Sequence, residues 1–267
     1  VDADAPVLAE VDRDGVGWLR LNRPRTHNAF DEILIAELTA ALGRFASDAE
    51  VRTVVLSGAG RSFCAGADLN WMRRMGVAGE AENVEDALAL AELLDLLDRL
   101  PKPTLALVNG PAYGGGVGFV ACCDIAVAAS HAVFAMPEVR LGLIPAVISP
   151  HVLAAIGVRQ ARRYFVTGER FSAEEALRIG LVHEVVEAEA LERAGRRVLG
   201  AIANNGPRAM AEVKLLIRDV AGRPMDADLR RDTAGRIAAA RGSEEGRSRI
   251  TAFLAKRPPR PAGRDDV

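Results

Sequence analysis

Three short segments carry residues whose types and spacing can do chemistry. The first is Phe63-Cys64-Ala65-Gly66-Ala67-Asp68-Leu69, a run of small residues after an apolar stretch. Little side-chain bulk intervenes there, so the backbone can approach a ligand closely, with Gly66 expected at positive φ. By itself this is also what a tight turn looks like. The second is Gly110-Pro111-Ala112-Tyr113-Gly114-Gly115-Gly116-Val117-Gly118. It follows a buried strand and opens a helix, where unpaired N–H groups and the helix dipole favour negative charge. Close packing of helix on strand is the alternative, but three consecutive glycines weaken a helix start, which favours a ligand-binding role. The third is Met136-Pro137-Glu138, which offers a carboxylate for proton transfer. A dinucleotide fingerprint, G-x-G-x-x-A, also fits Gly116 to Ala121, with Glu138 about 20 residues on. It is set aside because the helix after it must be short, no second nucleotide-binding half is evident, and the first small-residue loop stays unexplained.

Apolar periodicity supplies the elements that hold these segments. Val7–Val11 and Val16–Leu21 read as strands around a turn at Gly15. From about Asp31, the spacing of Leu34, Leu38, Ala41, Leu42 and Phe45 predicts a helix. A strand is expected from Val51 to Ser57, then a loop from Phe63 to about Ala81. Leu90, Leu93, Leu94, Leu97 and Leu100 predict a helix stopped by Pro101 and Pro103, and Thr104–Val108 a buried strand. Further strands are expected at 124–128 and 133–135. Ser172-Ala173-Glu174-Glu175 reads as a capping box. From Pro207 the pattern is helical only: 207–220, about 226–241, and 243–254. These observations predict an α/β core over residues 1–200 and a helical region over 201–267 suited to oligomer packing. The Arg257–Pro261 tail reads as loose.

Bulk properties exclude several classes. The chain has 34 basic and 36 acidic residues, so the basic face of a nucleic-acid binder is not expected. Cys64, Cys122 and Cys123 match neither a disulfide framework nor a zinc site, which points to a reducing cytoplasm. No apolar run of about 18 residues reads as a membrane span. His27, His131, His151 and His183 are scattered without metal-ligand spacing, so no metal is expected.

The order of several weak motifs is more specific. They are Leu21-Asn22-Arg23-Pro24 with Asn28-Ala29, Phe63 to Leu69, Pro101-Lys102-Pro103 with Asn109-Gly110, and Gly114-Gly115-Gly116. Next come Cys123-Asp124-Ile125-Ala126, Pro137-Glu138 with Leu141-Gly142-Leu143-Ile144-Pro145, and finally Glu245-Gly246 with Phe253-Leu254 and Lys256-Arg257-Pro258. Over nearly its whole length the chain resembles the enoyl-CoA hydratase/isomerase (crotonase) family. The resemblance implies a spiral of ββα units, a helical C-terminal trimerisation region, and a homotrimer or homohexamer. It implies an acyl-CoA substrate, with coenzyme A part of the substrate and no other cofactor. The backbone N–H groups of Ala67 and Gly115 correspond to that family's oxyanion hole, and Glu138 to its acid/base. Contacts to substrate or CoA are expected from Arg25, Ala29, Ala65, Gly66, Asp68, Leu69, Trp71, Tyr113, Gly114, Pro137, Leu141 and Lys256.

One departure stands out. Hydratases of the family usually carry a second glutamate three residues after the middle glycine of the triplet, and Gly118 stands there. One carboxylate suffices to shuttle a proton between C2 and C4, which favours an isomerase. The stretches 109–118 and 138–150 resemble a bacterial hydratase branch acting on 3-methylglutaconyl-CoA and isohexenylglutaconyl-CoA, which favours hydration. An acyl-CoA-binding pseudoenzyme is the third possibility. The segment Ile144–Pro150 is expected to line the acyl pocket, with Ser149 capping the next helix.

Overall fold

A computed structural model describes residues 4–256. The chain divides into two compact units, residues 1–100 with 104–198, and residues 101–103 with 199–267. The short 101–103 segment groups with the later helices.

The first unit is built on a six-stranded sheet of order β1-β2-β3-β4-β6-β9. Its strands are β1 (Val7–Val11), β2 (Val16–Leu21), β3 (Thr53–Gly58), β4 (Thr104–Val108), β6 (Ile125–Ala129) and β9 (Glu184–Val186). Only the β1–β2 hairpin is antiparallel; every other pairing is parallel. Gly15 turns the hairpin at φ 76°. β4 is buried at every position, as a central parallel strand covered on both faces must be. A smaller sheet joins β5 (Ala112–Tyr113), β7 (Val133–Ala135) and β8 (Phe171–Ser172).

Helix α1 (Glu32–Ser47) starts at Asp31, whose Oδ1 accepts the Leu34 N–H at 3.0 Å. It buries Leu34, Ile35, Leu38, Ala41, Leu42 and Phe45. The expected loop from 63 to 81 is partly helical, because α2 (Leu69–Met75) forms inside it. Asp68 caps this helix, accepting the N–H groups of Asn70 and Trp71 at 2.8 and 3.1 Å. One capping aspartate and two turns of chain give too little periodicity to read as a helix. Helix α3 (Glu80–Asp98) begins well before its leucines, and α4 (Gly115–Cys122) is the short helix after the glycines.

Helix α5 (Ser149–Thr167) corrects the expectation for Ser149. The Ser149 hydroxyl donates back to the Ala146 carbonyl at 2.8 Å rather than capping the helix. Ile148 already has helical φ and ψ, so no extended cap residue is present to accept the first amides. Ser172 does cap α6 (Ala173–Arg178), accepting the Glu175 N–H at 3.3 Å. Helix α7 (Leu191–Ala203) follows β9.

The second unit contains α8 (Pro207–Val220), α9 (Ala227–Gly242) and α10 (Glu244–Leu254). Glu245 of α10 accepts the Arg208 and Ala209 N–H groups at the start of α8, at 3.2 and 3.0 Å. Arg236 of α9 pairs with Asp219 at 2.8 Å and Asp232 at 3.1 Å. Several large apolar residues of these helices stay exposed, including Ile217, Ile250, Phe253 and Leu254. Arg257 and the proline-rich tail lie outside the described residues. Among the described residues no helix is long and apolar enough to cross a membrane.

Candidate active site

Two asparagines, Asn28 and the half-buried Asn109, fix the small-residue loop. Asn28, fully buried at φ 58°, donates through Nδ2 to the carbonyls of Ala59, Ser62 and Phe63 at 2.9, 2.7 and 3.2 Å. Asn109 accepts the Gly58 N–H at 3.2 Å and donates to the Gly60 carbonyl at 2.9 Å. The loop therefore leaves β3 on a path set by side-chain amides, which is the physical role of the Asn28 and Asn109 motifs.

Beyond Phe63 the loop is held mainly by backbone bonds. The Cys64 N–H donates to the Pro111 carbonyl, and the Tyr113 N–H to the Cys64 carbonyl, at 3.1 and 2.9 Å. Phe30 donates to the Gly66 carbonyl at 2.9 Å and accepts from Asp68 at 2.8 Å. That parallel bridge uses the groups flanking Ala67 and turns the Ala67 N–H the other way. The Gly115 N–H is the first of α4 and has no intrahelical acceptor. Among the described residues neither amide donates to another protein group. Two unpaired donors at a cavity wall suit an oxygen that becomes negative.

The glycines here are required by space. A Cβ at Gly115 would stand 2.5 Å from the Phe30 ring, and one at Gly116 would stand 2.5 Å from the Cys64 carbonyl oxygen. Gly66 adopts φ 91° and Gly114 φ 50°, where a side chain is strained. Cys64 is fully buried and its thiol is pushed up to about 12 by desolvation, so it packs rather than reacts.

Ala67, Gly115 and Glu138 line one cavity of about 460 Å3. Glu138 opens a short 3-10 turn, Glu138–Leu141, which Gly142 ends at φ 72°. A Cβ on Gly114 would lie 3.0 Å from Glu138 Oε1, so the carboxylate reaches the glycine loop. Its Oε2 is buried without a hydrogen-bond partner. Burial raises its pKa above the ordinary 4.5, opposed only by its own backbone N–H. A surface pair with Arg140 does not form among the described ion pairs. An unpartnered carboxyl facing an apolar cavity is prepared to exchange a proton.

Of the residues expected from the sequence, Ala65, Gly66, Ala67, Leu69, Trp71, Tyr113, Gly114, Gly115, Pro137, Glu138 and Leu141 share this wall. Arg25 is exposed and Ala29 buried, and neither lines the cavity. Asp68 is occupied as the α2 cap. Lys256 is exposed in the second unit, with φ 52°. Lining residues that escaped the sequence reading include Phe30, Met75, Asp86, Ala87 and Leu90. For Asp86 a signal existed, since it lies four residues before Leu90 on the same helix face. A larger depression of about 940 Å3 lies over β1 and β2, among Glu10, Asp12, Arg13, Asp14, Arg20 and Arg196. It has neither glycine loop nor Glu138.

Gly118 does not reach the cavity. A Cβ there would meet Ile148 Cγ2 at 2.6 Å and Leu94 Cδ2 at 3.4 Å, and Ile148 itself lines the wall. The place of a second carboxylate is thus taken by a methyl group. Among the described residues no three His, Cys, Asp or Glu gather as a metal site.

The enoyl-CoA hydratase/isomerase family model matches residues 12–262. The chain belongs to this family. A short-chain-enoyl-CoA hydratase of Clostridium acetobutylicum is 34% identical over 249 residues, 91% of this chain and 92% of that protein. A crotonyl-CoA hydratase of Syntrophomonas wolfei is 34% identical over 248 residues, 90% and 91% of the two chains. The crystal structure of an enoyl-CoA hydratase from Shewanella pealeana superimposes with TM-score 0.94 at 41% identity, covering 97% of each chain. The mixed α/β fold of the crotonase superfamily, with its C-terminal helices, is therefore as the sequence implied.

Proposed function

We propose that this crotonase-family member is an enoyl-CoA hydratase, adding water across the double bond of a 2-enoyl-CoA thioester. The observation that carries the reading is Glu138: a desolvated carboxyl with an unpartnered oxygen beside two undonated backbone amides in one cavity. In this reading Ala67 and Gly115 hold the thioester oxygen as the α-carbon gains or loses a proton. Each such donor contributes roughly 3–4 kcal/mol to lowering the barrier. Glu138 takes the proton of a water that attacks the β-carbon and then returns a proton to the α-carbon. The hydratase names of the relatives support this chemistry.

The acyl group is short or branched, as the apolar wall of Leu143 to Ile148 supports. For a carboxylated group such as that of 3-methylglutaconyl-CoA, the described lining offers no basic side chain. Coenzyme A enters as part of the substrate, without a further cofactor. The exposed apolar residues of α8 and α10 support assembly into a homotrimer or homohexamer.

A second reading has its own support. Ile148 against Gly118 leaves Glu138 without the usual partner carboxylate, which suits a Δ3,Δ2-enoyl-CoA isomerase that moves one proton with one acid. Crotonyl-CoA and 3-hexenoyl-CoA, each given to purified protein, separate the two. Loss of conjugated enoyl absorbance from the first marks hydration. Gain of it from the second marks isomerisation. Silence with both, despite binding, leaves a pseudoenzyme and sinks the proposal.

A further inference from the structure

The cavity wall holds a second carboxylate that the proposed chemistry does not use. Asp86 of α3 lines it beside Ala87 and Leu90. Its Oδ1 accepts the Trp71 indole N–H at 2.9 Å, which fixes the carboxylate plane against a buried ring. Burial raises its pKa, the indole bond lowers it, and the charges of Glu32 and Glu82 raise it against Arg74. Arg74 is the nearby cation, but it pairs with Glu32 at 2.5 Å and does not line the cavity.

The rest of the described lining contains no arginine, lysine or histidine. Two acids and no base leave a net negative, poorly hydrated wall. A carboxylate on the acyl chain would lose its water there without gaining a partner, and would face like charge. A neutral acyl chain meets only apolar surface and an aspartate with one oxygen already bonded to Trp71.

We infer that Asp86 is a specificity-determining residue: from a cavity without a cation, its carboxylate turns away acyl groups that carry a second carboxylate and reserves the site for neutral acyl thioesters. The inference rests on the acyl-CoA reading above and sets neutral 2-enoyl-CoA esters apart from glutaconyl types.

Two saturated thioesters test it without turnover. Pentanoyl-CoA and glutaryl-CoA share the chain and differ at its far end, methyl against carboxylate. Calorimetric titration of the wild-type protein is expected to give at least about tenfold tighter binding of pentanoyl-CoA, the scale of a like-charge contact. Asp86→Asn keeps an oxygen for Trp71 and removes the charge. It is expected to narrow that gap by about tenfold, with glutaryl-CoA gaining far more than pentanoyl-CoA. Equal affinities in the wild type, or a gap that Asp86→Asn leaves untouched, overturn the inference and spare the acyl-CoA reading. The wild-type comparison stands alone if the variant does not fold. Failure of both thioesters to bind removes the acyl-CoA reading, and the inference with it.

Discussion

The two walls of the cavity are made in opposite ways. One wall, Ala65–Ala67 with Gly114 and Gly115, presents backbone; Gly115, and Gly116 behind it, have no room for a Cβ, and Gly66 and Gly114 sit at positive φ. Another stretch of the lining, within Leu141 to Ile148, presents side chains. There Leu141, Leu143 and Ile144 are 63%, 53% and 74% exposed, and a Cβ on Gly142 would meet nothing within 4 Å. The first wall is a fixed geometry that any added atom disturbs. The second is a set of apolar surfaces that can change one at a time. On the proposed reading, bond-making chemistry belongs to the rigid side and acyl fit to the replaceable side, with Glu138 next in sequence to the second and in reach of Gly114 on the first.

The sharpest break of that contrast is at the join. Glu138→Gln is expected to lower turnover by about 10²–10⁴-fold, the range of a lost general acid/base. The same change should stabilise the fold. A carboxyl whose folded pKa is raised binds its proton more tightly when folded, so its stability contribution is complete below the unfolded pKa near 4.5. That contribution is lost as pH rises through the raised folded value. At pH 7 the variant, which carries no charge there, should melt above the wild type by about 2–4 °C for each kcal/mol recovered. At pH 4 the difference should vanish. For the wild type, kcat/KM should fall with acidification at a midpoint above 4.5, because the base must be ionised. Calorimetric melts at the two pH values read the first claim and a pH–rate profile the second. A variant that is both fully active and no more stable would remove Glu138 from the site.

Next in size is a change on the rigid wall. Gly116→Ala drives a methyl to 2.5 Å from the Cys64 carbonyl oxygen and 2.9 Å from its Cβ, both buried. Neither backbone nor a packed thiol can swing aside, so the cost is about 1–3 kcal/mol or more. The loop carrying Ala67 must shift, and turnover should fall even in the fraction that folds. Gly142→Ala, on the other wall, meets no such atom but adopts φ 72°, so its smaller cost is local strain alone. If both variants melt alike and work alike, the contrast between the walls is wrong.

How much of this was legible in the residues follows the same division. The period-3.6 pattern placed α1 because it buries one continuous face, and β4 was legible as a short apolar run buried at every position. The glycine triplet and the Gly66 turn were visible because backbone constraints leave few residue choices. The helical spacing from Leu90 pointed to the face that carries Asp86, but not to its bond with Trp71, made across fifteen residues of sequence. Nor was Ile148 over Gly118 visible, a contact between segments thirty residues apart that only packing creates. Arg25, Ala29 and Lys256 were carried over from motif position, and position in a motif does not fix the direction of a side chain.

The Ile148 contact gives a test of intermediate size. Gly118→Ala places its Cβ 2.6 Å from Ile148 Cγ2, an overlap worth about 1–3 kcal/mol when the neighbour is buried. Unlike Cys64 carbonyl oxygen, this neighbour is a side chain and can be cut back. Ile148→Ala alone should cost about 2–5 kcal/mol as a buried truncation. In the double variant the new methyl fills part of the space left, so the two costs should fall short of additive by about 0.5 kcal/mol or more. Chemical denaturation of the four proteins reads this coupling. Strict additivity would mean that Ile148 does not stand over Gly118.

The smallest effect should come from the outer edge of the side-chain wall. Ile144 is three-quarters exposed, so Ile144→Ala is expected to change stability by less than about 0.5 kcal/mol. It still lines the cavity, and its loss removes apolar surface that only a bound acyl chain covers. An acyl chain long enough to reach it should therefore lose affinity in the variant, by up to about tenfold for one or two methylenes of contact. A four-carbon acyl chain that stops short of it should lose little. Measured as KM over a series of enoyl-CoA esters, the variant should diverge from wild type only beyond a certain chain length. That length reports how far the acyl group runs along the wall. A uniform rise in KM for every ester, or a drop in kcat, would instead tie Ile144 to the geometry of the rigid side, where a single exposed side chain has no means to act.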